Sequence, residues 1–407
     1  MVDSIGTSER RTICPLSVFT SRLAMAWLHL LVQSLVLAQC LVQCRKDIGP
    51  NVSASEDMIG FPRVAQQTLG PQGATITTLS LVLLTQATLV SQLSRAGILL
   101  ADNNSILSAS SPLIRYRMGC FVAAALGTVV CFKGRSTVKN AFDEGINRSS
   151  ATTLNAALTG IFLTSVVLLF QAGQTQAIWS RCWSTPPTTG VASVANVAPI
   201  MLQLLVYGEI LPNVCHMLGY NPRHIRFCVA LGSFIPLVLL TGWAALGVAL
   251  VPPTASTMTD PVRVLLQGNG GISSRLLVLS LSAIGTTILG SLLALSSAYQ
   301  DVTNLRRMKK GSDVVWQRPW IAIACIALPP TLVAAISPSL FLQAIDFAGS
   351  YPILLLYGVL PSFMALKLNT NRRKRYIGLA AFSGAMVTAN FVADVKEFLL
   401  WLASRLS

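Results

Sequence analysis

Long apolar stretches, each near the length of a bilayer crossing, alternate with short polar and basic segments along almost the whole chain. About 20 mainly apolar residues span the hydrocarbon core as a helix. On that template the pattern predicts spans at Leu23–Cys44, Gly73–Leu93, Met118–Phe132, Thr152–Phe170, Val194–Val214, Phe227–Val251, Leu276–Ala298, Trp320–Ile336, Asp346–Leu366 and Tyr376–Val392. Met118–Phe132 is short, and Leu113 and Ile114 can extend it past Arg115 and Arg117. Residues 1–22 form a polar tail without the apolar core of a secretory signal. The tail is Ser-rich with Arg10, Arg11 and Arg22, but Asp3 and Glu9 stand against a transit peptide. Residues 23–392 make the transmembrane domain. In residues 393–407, Phe398, Leu399, Trp401 and Leu402 predict a short amphipathic helix at the interface.

One stretch departs from the plain span pattern. Val194–Val214 carries a carboxylate, Glu209, between Gly208 and Pro212. Proline removes a backbone donor and clashes with the preceding turn. Glycine lets the chain leave helical geometry. The combination predicts a helix broken near mid-membrane with a polar group at the break. Irregular backbone at that depth survives only inside protein or beside a water-filled cavity. The alternative is a helix ending at Gly208, with Glu209 among the headgroups and Pro212 in a loop.

Composition fixes the class. Of the residues 53% are hydrophobic and 11% charged, and the mean hydropathy is +0.62. A soluble domain carries about 25% charged residues. The fold class is therefore an all-α polytopic membrane protein with about ten transmembrane helices. The net charge of +15 is no nucleic-acid signature, because the basic residues sit between the apolar spans. Alternate loops differ strongly in basic content. One set holds Arg45, Lys46, Arg63, the pair Arg223 and Arg226, and runs around Arg306–Lys310 and Arg372–Arg375; the other holds few. That bias makes the first set cytosolic, or stromal in a plastid. It also puts the N-terminal arginines on the wrong face. One more span upstream would remove the conflict, so we expect the chain to lack the first helix of its fold.

Further chemistry is sparse. The nine cysteines include no Cys-x-x-Cys pair and read as small apolar residues within or beside spans, not as disulfides or a zinc site. His29 has Gln33 at i+4 and reads as a buried neutral histidine, not a metal ligand. No Gly-rich phosphate loop of the Gly-Lys-Ser/Thr type exists, which excludes ATP hydrolysis through one.

Several motifs, in order, carry a family resemblance. Ala344-Ile345-Asp346-Phe347-Ala348-Gly349-Ser350-Tyr351 is followed by Tyr357-Gly358-Val359-Leu360-Pro361 and Met364-Ala365. Ala65, Thr68-Leu69-Gly70-Pro71 and Gly73 lead to Ser94-Arg95 and Gly97. Tyr207, Glu209 and Pro212 precede Leu218-Gly219-Tyr220. Ser282, Gly285-Thr286-Thr287 and Gly290 form the fourth group. From about Pro15 to Val392 the chain resembles the tryptophan/tyrosine permease family, the aromatic amino acid permeases of bacteria and plastids. The resemblance implies an eleven-helix, five-plus-five inverted-repeat fold, with the first and sixth helices broken around one substrate. The spans here would then be helices two to eleven. The family's Gly-rich broken first helix has no match. Gly208 stands where the family often has His, so a His contact is not carried over. Pro352 follows Tyr351 where Gly is commoner, and a shift of the tenth helix is expected from it.

The resemblance implies secondary active transport of tyrosine and tryptophan, with H⁺ as the coupling ion, by alternating access. Half-helix ends suit the ammonium and carboxylate of such a substrate. Candidate substrate contacts are Tyr207, Gly208, Glu209 and Pro212 at the break, with Gln86, Ser282, Thr286 and Thr287 elsewhere. Glu209 is also the candidate for ion coupling, or else it snorkels or pairs with a loop arginine. Tyr207 can stack on an aromatic substrate or serve as an interfacial anchor. Ser282, Thr286 and Thr287 can line a cavity or bond their own helix. Gln86, with Thr85 and Ser91 on the same span, can reach substrate or bond a neighbouring helix. Asp346 fits the cap of the tenth helix. No enzyme constellation, cofactor, metal or nucleic-acid partner is expected; the partners are the lipid bilayer and the amino acid. The membrane is the plastid envelope or the plasma membrane. The rival reading is a truncated, non-transporting permease homologue that acts as an interaction or structural protein.

Overall fold

The computed structural model describes residues 16–48, 60–103, 111–143, 150–174, 198–250, 271–310, 319–368 and 373–406. These residues are almost entirely helical: α1 Leu16–Ile48, α2 Phe61–Asn103, α3 Pro112–Asp143, α4 Ser150–Gln174, α5 Ala198–Leu205, α6 Leu211–Met217, α7 Pro222–Leu250, α8 Gly271–Lys310, α9 Pro319–Ala334, α10 Leu340–Ala348, α11 Leu360–Leu368 and α12 Arg373–Leu406. Each span expected from the hydropathy pattern overlaps one of these helices or a run of them; residues 194–197 and 251 of the expected spans, and 1–15 of the expected polar tail, lie outside the described residues. Among the described residues, seven helices are long and apolar enough to cross a membrane, and Ala157–Leu168 and Ala198–Ile210 are shorter apolar pieces.

The surface is as apolar as a bilayer requires. Met25, Leu126, Phe227, Phe391 and Val392 all project outward, between half and three-quarters exposed. A water-soluble monomer does not carry apolar area on that scale. The protein is an integral multi-pass membrane protein.

Two apolar clusters organise the helices. The first joins α1, the first half of α2, α5, α6, α7 and the α10–α11 region. The second joins the latter half of α2 with α3, α8 and α9. The 43-residue α2 runs through both. Side-chain hydrogen bonds tie some of the helices together. Tyr116 Oη donates to Ala334 O at 2.5 Å and Arg117 Nε to Ala335 O at 3.2 Å, so α3 covers carbonyls at the end of α9. Most threonine and serine hydroxyls instead bond the carbonyl one turn back in their own helix, as with Thr77, Thr128 and Thr331. That satisfies a polar group in hydrocarbon without a partner helix.

Among the described residues the regular geometry fails in three places. In α2, Gly70 adopts φ 78° and ψ −169° just before Pro71, where a glycine-only conformation meets a residue without an N–H. The helix starts upstream of this kink, at Phe61, so the Thr68–Pro71 run lies within it. Between α5 and α6, Val206 and Tyr207 leave helical geometry and Gly208–Ile210 form a 3₁₀ turn. Between α10 and α11, two π turns, Gly349–Ile353 and Leu355–Val359, replace α-helix. Pro352 lies in the first. Its missing N–H cannot take an i−4 carbonyl, and the wider turn accommodates this.

Two expectations are corrected. Asp346 does not cap the tenth helix: α10 begins after Ser339, and Asp346 sits in its last turn, its carbonyl accepting from the Gly349 N–H. The apolar residues beyond Val392 do not start a separate helix; they continue α12 without a break to Leu406. Cys40, Cys44, Cys120, Cys131 and Cys215 are buried free thiols and Cys228 is an exposed one.

Candidate functional site

The break between α5 and α6 has a local cause. Pro212 has no N–H to give to the Gly208 carbonyl four residues back. The Leu211 N–H takes that carbonyl instead, and the Ile210 N–H takes Tyr207 O at 3.2 Å. These i−3 bonds are what makes Gly208–Ile210 a 3₁₀ turn. Pro212 itself is buried in the first turn of α6, a position where proline is tolerated. Eight residues lie before the break, in α5, and ten after it, in the 3₁₀ turn and α6. At about 1.5 Å per residue the interruption falls roughly midway along the segment. The stretch is therefore discontinuous, not one rod.

Each side chain at the break meets a different neighbour. Tyr207 is partly buried, and its hydroxyl lies beside Ser34 of α1 and Ser233 of α7 without a hydrogen bond to either. Trp27 Nε1 donates to that same Ser233 at 3.1 Å. Gly208 is buried against the ring of Tyr357, which occupies the space a side chain would need. A histidine at this position would have to displace that ring. Glu209 is half-buried, forms no ion pair or hydrogen bond with a described residue, and follows directly on Gly208, the residue packed against the Tyr357 ring. Among the described residues no arginine pairs with it.

Tyr357 sits in the second π turn and is buried. Its ring also meets Phe61, from the short piece of α2 that precedes the Gly70 kink, at 6.0 Å between centroids. One turn before Tyr207, Gln203 donates from Nε2 to Thr88 Oγ1 of α2 at 2.9 Å, while its buried Oε1 has no hydrogen-bond partner. Further along, Gly349 lies against the backbone of Pro199, so the first π turn and the start of α5 touch main chain to main chain. The site is thus walled by α1, α2, α7 and the π-turned segment. It offers a carboxylate, a phenol, an amide oxygen and the main-chain groups that helix ends leave unpaired.

The other candidates lie apart from this constellation. Gln86 Nε2 donates to Ile326 O of α9 at 3.3 Å, a bond between helices. Ser282, Thr286 and Thr287 bond back to carbonyls of α8 at 2.9, 2.9 and 2.8 Å. They belong to a helix whose core residues join the second cluster, whereas the break belongs to the first. Thr85 and Ser91 likewise bond within α2. His29 is half-buried, with Nε2 3.4 Å from Ser383 Oγ and its ring tilted on Phe382. Gln33, one turn on, donates to Ser383 at 3.3 Å and accepts from Ser362 at 3.1 Å.

Tyr357, Gln203, Ser34 and Phe61 were not singled out as site residues from the sequence. Gln203 carried a usable signal, since a polar residue in an apolar span four positions before Tyr207 shares its helix face. Tyr357 stood in a quoted motif, but only the fold brings it to Gly208. Comparison with known proteins adds one finding: a model of the tryptophan/tyrosine permease family matches residues 17–393. No curated protein matches the chain.

Proposed function

Because the chain belongs to the tryptophan/tyrosine permease family, we propose that it carries tyrosine and tryptophan across its membrane by alternating access, driven by protons, with the substrate held at the α5–α6 break. The family implies aromatic amino acid transport and points to a transporter, not an enzyme. The finer reading is supported by one observation above the rest. The chain is interrupted at Val206–Tyr207, and Glu209, without an ionic partner among described residues, comes directly after Gly208, which packs on Tyr357 of the second π turn. An acid kept inside a membrane protein usually serves a substrate or an ion.

The roles follow from the chemistry. The end of α5 presents carbonyls suited to an ammonium, and the start of the α6 half presents N–H groups suited to a carboxylate. Glu209 neutralises the ammonium or carries the coupling proton. Gln203 Oε1 is a further acceptor. Tyr357 and Phe61 offer aromatic surface for the side chain of the substrate. Either the plastid envelope or the plasma membrane is the site of action.

The test is uptake of labelled tyrosine and tryptophan into proteoliposomes under an inward proton gradient. Saturable uptake is expected, and Glu209→Gln should abolish its dependence on the gradient while exchange persists. Uptake no greater than that of empty vesicles would point to a non-transporting homologue. Gradient-driven uptake unchanged in Glu209→Gln would remove the carboxylate from the mechanism.

A further inference from the structure

Three parts of the chain far apart in sequence meet at one end of the bundle: the last turns of α1, the turn from α6 into α7, and the end of α11 with the start of α12. Two adjoining clefts, of about 430 and 410 Å³, open there and share Val42 and Lys46. The first is lined by Arg45, Lys46, His216 and Tyr220. The second is lined by Gln39, Gln43, Lys46, Arg226 and Tyr376. No carboxylate lines either cleft among the described residues. Asp47 lies next to Lys46 and accepts from Gln43 Nε2 at 3.2 Å.

Loop topology gathers basic residues on one membrane face. It does not explain how these are held. The Arg45 guanidinium lies over the Tyr220 ring, 5.9 Å from its centroid. Such stacking fixes the position of the cation. Tyr220 is itself fixed: it takes the left-handed conformation, φ 57°, and its N–H bonds Cys215 O at 2.9 Å. A non-glycine residue there is uncommon and persists only where its surroundings determine it. Arg226 Nε is anchored on Pro222 O at 3.0 Å. Pro222 lines the second cleft and starts the 29-residue α7, whose N-terminal dipole adds positive potential.

The rim says which anion fits. Met217, Phe227 and Ile377 stand next in the chain to His216, Arg226 and Tyr376, and are 82%, 68% and 48% exposed. The helices that form the clefts thus also carry exposed apolar side chains at the same level. A basic pocket between helices at that level suits a lipid headgroup. We propose that this cleft binds the phosphate headgroup of an anionic phospholipid, with Lys46 and Arg226 on the phosphate, Arg45 positioned by Tyr220 beside it, and the acyl chains on the apolar rim.

The experiment uses the full chain in phosphatidylcholine nanodiscs with about a fifth of the lipid replaced by phosphatidylglycerol. Native mass spectrometry reads retained lipid, and a melt reads the shift in midpoint. Retention of phosphatidylglycerol over phosphatidylcholine is expected, with a loss of about fivefold for each of Lys46→Gln and Arg226→Gln. Lys46→Arg should keep it. Lys367→Gln and Arg373→Gln, exposed basic positions that line neither cleft, should leave it unchanged. An equal loss in those two variants would mean diffuse surface charge and overturn the site. So would the absence of any preference for phosphatidylglycerol. Competition by glycerophosphate or inorganic phosphate as strong as by the lipid would make it a site for a soluble anion instead. Lipid retention is read without amino acid, so it stands or falls apart from transport.

Discussion

Alanine at Gly349 tests whether α5 is held on the π-turned segment by backbone contact. A methyl carbon built there falls on the Pro199 carbonyl and 2.8 Å from the Pro199 Cα. Carbon atoms in contact sit at about 3.5–4.0 Å. The overlap is with main chain, which cannot rotate away as a side chain would, so the two segments must part by about 1 Å. Overpacking on this scale costs about 1–3 kcal/mol. Against that, glycine to alanine within a helix gains roughly 0.5–1 kcal/mol. Gly232 in α7 and Gly384 in α12 have nothing within 4 Å of an added methyl and report that gain alone. Gly349→Ala should therefore be about 1–2 kcal/mol less stable than the parent, and Gly232→Ala and Gly384→Ala equal to it or slightly better. Thermal unfolding of the purified protein in detergent, followed by fluorescence-detected size-exclusion chromatography, ranks all three. Labelled-tyrosine uptake of Gly349→Ala should fall too, because Pro199 and the break are parts of the same short segment. A Gly349→Ala protein that melts at or above the two controls would refute the close approach of α5 and the π turn.

Gly70→Ala should lose about 1–3 kcal/mol although its methyl would meet nothing within 4 Å, because φ 78° with ψ −169° suits glycine alone; a melt no lower than that of Gly160→Ala, also open, would remove the strain argument. Gln33 is fully buried between Ser362 and Ser383, and both hydroxyls keep a backbone carbonyl of their own helix when it is lost. Gln33→Leu should then cost under about 1 kcal/mol and Gln33→Ala clearly more, since interhelical hydrogen bonds in membranes average only about 0.6 kcal/mol while a cavity adds its own penalty; equal melts for the two would put the hydrogen bonds ahead of volume. Tyr207→Phe removes a buried hydroxyl that bonds nothing, so stability should change by no more than about 0.5 kcal/mol while the apparent affinity for substrate falls; a large loss of stability would show the hydroxyl to be structural.

Much of this was legible along the chain, for reasons that differ by level. Apolar length gave the helices, because hydrocarbon leaves the backbone no other partner. Pro212 gave the α5–α6 break, although the chain leaves helical geometry at Val206–Tyr207, before Gly208, since a proline disturbs the turn preceding it. The Gly70-Pro71 pair announces a turn in any sequence, but its location inside a continuing helix depends on packing on both sides. The π turns had only Pro352 as a hint. Hydroxyls were the least legible. Ser282, Thr286 and Thr287 look the same in sequence whether they face a cavity or their own carbonyls, and that choice depends on what α8 packs against.

Among the described residues, packing contacts link the three interrupted segments. Phe61, on the piece of α2 before Gly70, packs on Tyr357 of the second π turn, and Tyr357 packs on Gly208 of the 3₁₀ turn. Gly349 of the first π turn meets Pro199 at the start of α5. Each interruption frees backbone groups that hydrocarbon would penalise by several kcal/mol. The contacts that join them are ring against glycine and main chain against glycine, which hold by shape and contain no hydrogen bond that must break. Surfaces of that kind can slide, and a helix already interrupted can turn at its gap without losing a bonded turn. The alternating access proposed above needs both properties in one place, and the Gly208–Tyr357 contact is where we propose it has them.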